Sequence, residues 1–243
     1  MIISFLFLIS EVLLFVIVMK DICKRYPNGS QALIDVNIHI KQSDFVFIVG
    51  SSGAGKSTFI KMLFREVLPS SGTLYVNNFN VLKMEEKQVP YLRRSLGIIF
   101  QDYRLLPERT VYENVAFAMQ VIEAPYREIK RRVNYVLELV GLKHKLRAYP
   151  TELSGGEQQR VAIARAIVND PMIVIADEPT GNLDPETSWE IMNIFKLINA
   201  SGTTIVMATH DKNIVYSMGK RVAAIEGGRI LRDESKGVYG YES

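Results

Sequence analysis

A lysine and two hydroxyls close a glycine-rich run, Gly50-Ser51-Ser52-Gly53-Ala54-Gly55-Lys56-Ser57-Thr58. Glycines let a backbone wrap closely round phosphate oxygens with its N–H groups aimed inward, and a helix starting there adds positive potential. In such a loop Lys56 offers a point charge to β- and γ-phosphates, and Ser57 offers a hydroxyl to Mg²⁺. The chemistry needs a buried strand before the loop and a helix after it. Both are legible: 45–49 reads Phe-Val-Phe-Ile-Val, and residues 57–66 carry apolar side chains at helical spacing.

A second group sits at Asp177-Glu178, after the apolar run Ile173-Val174-Ile175-Ala176. In a doubly wound sheet ligands bind at the carboxyl ends of strands. There Asp177 would hold Mg²⁺, directly or through water, and Glu178 would polarise an attacking water as general base. Alone, an apolar run ending in Asp-Glu is an ordinary solvated strand end; beside a phosphate loop it carries weight. A third feature, Leu153-Ser154-Gly155-Gly156-Glu157-Gln158-Gln159-Arg160, runs a Ser-Gly-Gly turn into a helix, a second anion site with no lysine of its own. By itself that is an ordinary N-cap. Its place is what distinguishes it, 98 residues after Lys56 and 23 before Asp177.

These groups need a scaffold, and the chain supplies one. Strands are expected at 16–22 and 32–40 around a turn at Pro27-Asn28-Gly29, then at 45–49, 72–76, 96–100, 172–176, 203–208 and 222–226. Helical periodicity marks 111–122, 126–140, 156–168 and 189–198. Strands alternating with helices predict an α/β fold with a mostly parallel sheet covered on both faces. From about 103 to 156 strand signals are scarce, which reads as a helical insertion. The polar tail at 233–243 is expected to fray.

The chain has 243 residues, 48% of them hydrophobic, enough for a sizeable core and against wholesale disorder. Its formal charge of +3 is too even to argue for nucleic acid, and no such partner is expected. The single cysteine, Cys23, excludes an internal disulfide and is expected to be a small buried hydrophobe. Residues 1–19 are almost wholly apolar. A membrane span would carry Glu11 near its middle, at a cost of about 2.5 kcal/mol or more. A signal peptide would want an early basic residue and a small-residue cleavage site, and neither is there. The reading adopted is a strand from residue 16, preceded by an apolar extension over 1–15 that is non-essential or misassigned, with a membrane-associated segment as the alternative.

In that position the Ser-Gly-Gly-Glu sequence resembles the signature of the ABC ATPase family, and the likeness runs over residues 16–232. It implies a P-loop NTPase (RecA-like) core with an antiparallel β subdomain and an inserted α-helical signature subdomain. It also implies roles for four further residues. Tyr26 would stack on adenine, Gln101 would reach Mg²⁺ and the attacking water, Asp184 would lie in a loop crossing a dimer interface, and His210 would contact the γ-phosphate. Each has a plain alternative: a strand-end aromatic, a surface amide, an N-cap before Pro185, a loop histidine. The implied mechanism is a homodimer closed head-to-tail on ATP, with Ser154, Gly155, Gly156 and Glu157 of one subunit facing the phosphate loop of the other. The region after Gln101 would carry movement to a membrane partner.

Two stretches resemble the cell-division branch of that family more narrowly. They are Arg93-Arg94-Ser95-Leu96-Gly97-Ile98-Ile99-Phe100-Gln101-Asp102-Tyr103-Arg104-Leu105-Leu106-Pro107 and Thr110-Val111-Tyr112-Glu113-Asn114-Val115-Ala116. Lys24-Arg25-Tyr26-Pro27-Asn28-Gly29 does so too. The branch implies an FtsX-like integral membrane partner, indirect control of peptidoglycan hydrolases and division proteins, and a place on the cytoplasmic face of the bacterial cell membrane at the division site. Pro179-Thr180-Gly181-Asn182-Leu183-Asp184 is shared with lipoprotein-releasing and macrolide-type exporters, so the ATPase of such an exporter is the alternative. An ATP-gated division scaffold is a third reading, opposed by intact Lys56, Asp177, Glu178 and His210.

Overall fold

Two eleven-residue strands open the described part of the chain, which in this computed structural model covers residues 15–236. β1 (Phe15–Arg25) and β2 (Gln31–Lys41) pair antiparallel around the turn at 27–29. β3 (Phe45–Val49) then leaves for a second sheet. β4 (Ser71–Val76) takes the other edge of β1, and β5 (Phe79–Asn80) pairs with β4 across Asn77-Asn78. Both asparagines have positive φ, 45° and 65°, the backbone of a type I′ hairpin turn. The first sheet is thus antiparallel throughout, in the order β2-β1-β4-β5. β1 outruns the expected 16–22 because both its edges are held. Its polar end is tied down where the Arg25 N–H donates to Ser70 Oγ at 3.0 Å. The apolar extension expected at 1–15 gives up Phe15 to this strand, and residues 1–14 lie outside the described residues.

The second sheet has the order β10-β9-β3-β8-β7-β6, from β6 (Leu96–Ile99), β7 (Ile173–Asp177), β8 (Thr204–Ala208), β9 (Arg221–Glu226) and β10 (Arg229–Glu234). All neighbours run parallel except β10, which returns antiparallel on β9 through Gly227-Gly228. β10 includes residues 233–234, which the sequence reading placed in the tail. Arg221 accounts for this, since its guanidinium grips the Asp233 carboxylate with two hydrogen bonds of 2.8 and 2.7 Å.

Side-chain alternation splits the core in two. Phe45, Phe47 and Val49 of β3, with Val174 and Ala176 of β7, face one apolar cluster. That side is covered by α3 (Val111–Gln120), α4 (Tyr126–Leu139), α5 (Gly155–Ile167), α6 (Pro185–Ala200) and α7 (Lys212–Met218). Val46 and Ile48, with Ile173 and Ile175, face a second cluster with α1 (Lys56–Leu63), α2 (Val89–Arg94) and the antiparallel sheet. Full burial on both faces explains the unbroken apolar runs. Each fully buried large side chain contributes about 1.5–3 kcal/mol. α1 ends at Leu63, short of the expected 66, giving way to a turn at Phe64 and Arg65, where Arg65 takes a φ of 55°. Cys23 is half-buried rather than buried, because its Sγ faces β2 and accepts the Asp35 N–H at 3.3 Å.

Between β6 and α5 the chain is helical, and its helices have defined starts. Thr110 and Glu113 close a reciprocal capping box on α3. Ser154 and Glu157 do the same on α5. The loop before α3 is fixed from below by Asn114, fully buried. Its amide donates to the carbonyls of Leu106, Arg109 and Thr110 at 3.1, 2.9 and 3.0 Å and accepts the Leu106 N–H at 2.8 Å.

Candidate active site

The phosphate loop joins the C-terminal end of β3 to α1 and lines a cavity of about 500 Å³. Its tight curl depends on two glycines. A Cβ on Gly50 would stand 2.2 Å from the Ile225 carbonyl oxygen, and one on Gly55, with φ 113°, would stand 2.4 Å from that of Ala32. Gly53 meets nothing within 4 Å and leaves the cavity side open. Lys56 is buried, and its Nζ donates to the carbonyls of Gly50 at 2.9 Å and Ser51 at 3.1 Å. The ammonium therefore stands inside the curl. Ser51, Ser52, Ser57 and Thr58 also line the cavity. Ala54 does not; its methyl is buried in the core beneath the loop, so only its backbone is available to a ligand.

β7 delivers the two carboxylates as expected, to different sides of Ser57. Glu178 opens into the phosphate cavity together with His210, whose Nδ1 is 2.9 Å from Glu178 Oε2. Glu178 has a φ of 49°, a left-handed conformation that costs an ordinary residue about 1–2 kcal/mol. Its N–H is anchored on the Ala208 carbonyl at 2.9 Å, which turns the side chain off the sheet edge. Asp177 opens into an adjoining cleft of about 360 Å³ with Gln101 and Ser57. A Cβ on Gly181 would stand 3.4 Å from both Gln101 Nε2 and Glu178 Oε2, so this bare glycine is where the two clefts approach one another.

Asp177 shares the adjoining cleft with Ser57. Burial, then the neighbouring charge of Glu178, pushes its carboxyl above the usual range, against Lys61 and Lys56. Among the described residues no group of three or more His, Cys, Asp or Glu could hold a metal alone. Mg²⁺ needs no such group, since it keeps waters and takes one or two protein oxygens beside substrate phosphates. Ser57 and Asp177 are hard oxygen donors of that kind, and a cation there would offset the crowding of two half-buried carboxylates.

The remaining residues stand apart in a single chain. Ser154, Gly155, Gly156 and Glu157 line neither cleft. Ser154 is exposed at the head of α5, its Oγ accepting the Glu157 N–H at 3.3 Å. The Glu157 carboxyl sits below its ordinary range, first through Lys145 at 2.5 Å and then through the Ser154 N–H. Asp184 caps α6, accepting the Thr187 N–H at 2.9 Å. The two helix heads abut, because a Cβ on Gly156 would fall 2.4 Å from Thr187 Cγ2. Tyr26 also lies outside both clefts, with its hydroxyl 3.2 Å from Thr58 Oγ1 at the cavity's edge.

Sequence reasoning missed the walls. Ser30, Gln31 and Ala32 line the phosphate cavity, and Asn182 lines the second cleft while its amide donates to the Gln101 carbonyl at 3.4 Å. The β9–β10 turn supports the loop from behind, with the Gly228 N–H donating to the Ala54 carbonyl at 3.2 Å. No local motif marks these contacts, which join residues far apart in the chain.

Residues 33–181 match the ABC transporter family. The chain is 61% identical over 227 residues to the cell division ATP-binding protein FtsE of Streptococcus pneumoniae serotype 2, covering 93% of this chain and 99% of that protein. It is 58% identical over 222 residues to the protein of the same description in Bacillus subtilis, covering 91% and 97%. Among solved structures it is similar to the dimeric ATP-binding cassette MJ0796 in a post-hydrolysis state bound to ADP and Pi. The TM-score is 0.82 at 34% identity, over 93% of this chain and 100% of that one.

Proposed function

The chain belongs to the ABC transporter family, and on that footing we propose that it is the ATP-driven subunit of a bacterial cell-division complex whose membrane component is FtsX-like. It binds ATP and hydrolyses it to ADP and phosphate, as an ABC ATPase does. Identity of 61% across nearly the whole length of a cell-division relative supports the assignment. Among the described residues no helix is long and apolar enough to cross a membrane.

The observation that carries the mechanism is a division of labour. One chain holds the phosphate loop, Lys56 and the Glu178–His210 pair in one cavity, and presents Ser154 exposed and elsewhere. A head-to-tail pair brings the Ser154-Gly155-Gly156 turn of each copy against the phosphate loop of the other. Loop N–H groups and Lys56 hold the phosphates. Ser57 and Asp177, with Gln101 beside them, would hold Mg²⁺, which supplies charge neutralisation at the phosphates. Glu178 takes the proton from a water attacking the γ-phosphorus, and His210 orients Glu178. Tyr26 offers its ring to adenine, and Asp184 lies where the copies cross. Loss of the bridging γ-phosphate opens the pair, a bistable interface biased by ligand. Through the segment after Gln101 that motion reaches the FtsX-like partner, and through it the peptidoglycan hydrolases, at the division site.

Glu178→Gln tests this reading. The variant should bind ATP, accumulate as a dimer and lose turnover. Hydrolysis at the parent's rate would remove Glu178 from the role of base.

A further inference from the structure

Gln101 sits in a turn whose next two residues are strained. Tyr103 and Arg104 have φ of 58° and 47°, two consecutive non-glycine residues in the left-handed region, which L side chains avoid. Contacts within the turn hold Arg104 in part, its N–H donating to the Asp102 carbonyl at 2.6 Å and its guanidinium lying over the Phe100 ring. Arg165, on α5, donates Nη2 to the Tyr103 carbonyl at 2.7 Å and Nη1 to the Arg104 carbonyl at 2.6 Å. The guanidinium is half-buried, and among the described residues no carboxylate pairs with it. Tyr103 in turn reaches the other end of the same helix: a Cβ on Gly155 would stand 3.2 Å from the Tyr103 hydroxyl. The segment carrying Gln101 is therefore hydrogen-bonded to α5 at Arg165 and lies close to its head at Gly155, about three turns away. The helix so attached is the one headed by Ser154.

We propose that Arg165 is a positioning residue for ATP hydrolysis, holding the Gln101 segment in register with the Ser154 turn so that the two move as one body. The planar fork suits two adjacent carbonyls in a way an ammonium cannot. Phe100 and Tyr103 close the turn on either side of Gln101, with the Tyr103 N–H donating to the Phe100 carbonyl at 3.2 Å, so fixing the Tyr103 and Arg104 carbonyls fixes Gln101. The phosphate loop and Lys56 make none of these contacts. A defect at Arg165 should therefore leave ATP affinity alone and reach only the reaction step and its coupling.

This inference rests on the reading of Gln101 as a site residue, and the experiment separates the two. Steady-state ATPase kinetics with Mg²⁺ are measured on the 243-residue chain and on Arg165→Lys, Arg165→Ala and Gln101→Ala, with the folded fraction of each followed by circular dichroism. Arg165→Lys, which keeps the charge and one hydrogen bond, guards against a failure of Arg165→Ala to fold. Either Arg165 variant should lose about ten-fold to a hundred-fold in kcat while KM for ATP stays within about two-fold. Adding Arg104→Gly, which frees that position to take positive φ, should recover part of the loss. Should Gln101→Ala lower kcat while Arg165→Lys, fully folded, matches the parent, the positioning role is wrong and the site reading stands. A loss that tracks the folded fraction alone overturns it too. If Gln101→Ala itself has no effect, both fall.

Discussion

Glu178 accepts its orientation from a histidine in the loop after another strand: His210 Nδ1 lies 2.9 Å from Glu178 Oε2, although the ends of β7 and β8 deliver the two residues separately. Glu178 also holds a left-handed φ of 49°. Strain at one residue together with a hydrogen-bonded orienter is how active sites pre-set a base. The pair has one consequence for turnover. His210→Ala should lower kcat by about ten-fold to a hundred-fold while ATP affinity, set by the phosphate loop, is held. Steady-state kinetics beside equilibrium binding of an ATP analogue checks it; unchanged kcat would leave His210 a surface residue.

The heads of α5 and α6 are packed without room for a methyl. Gly156→Ala would drive a Cβ to 2.4 Å from Thr187 Cγ2, and overpacking of this kind costs about 1–3 kcal/mol. Thr187→Ser removes that methyl and leaves the backbone N–H that Asp184 caps. In urea unfolding the single variant should be destabilised and the double variant largely restored. Equal instability of both would place the conflict elsewhere.

Asn114 uses its whole amide to hold the loop ahead of α3, in four hydrogen bonds. Asn114→Leu keeps the branching at Cγ and strands those backbone groups, for a loss of about 2–3 kcal/mol in thermal or urea unfolding. A stability equal to the parent's would mean that water replaces the amide there.

What the sequence made legible was chemistry carried by neighbours in the chain. Gly50 through Thr58, with an apolar strand before and a helix after, declared the phosphate cradle, because backbone curl and charge are local matters. Asp177-Glu178 was legible for the same reason, and so was the helical run after Gln101. The β10 strand was not, since its hold comes from Arg221 reaching Asp233 across the hairpin. Nor were the cavity walls at Ser30–Ala32, or the support of Gly228 behind Ala54, because each is a meeting of distant segments. Ala54 shows the limit from the other side: it lies within the motif, yet its side chain belongs to the core. The Ser154 turn was legible as a helix head, and only the resemblance, not the local pattern, set it apart from its own chain's clefts, neither of which it lines.

That last point is the account's centre, and mixing two crippled chains tests it. Lys56→Ala spoils a phosphate loop and Ser154→Arg spoils a signature turn; each alone should leave ATP turnover near background. If every site is built from two copies, a mixed pair contains one site with both defects and one with neither. Equal mixing should then restore roughly a quarter of the parent's turnover, half of random pairs being mixed and each carrying one whole site. A mixture no more active than its components, or a Ser154→Arg chain that hydrolyses ATP like the parent, would contradict the shared site.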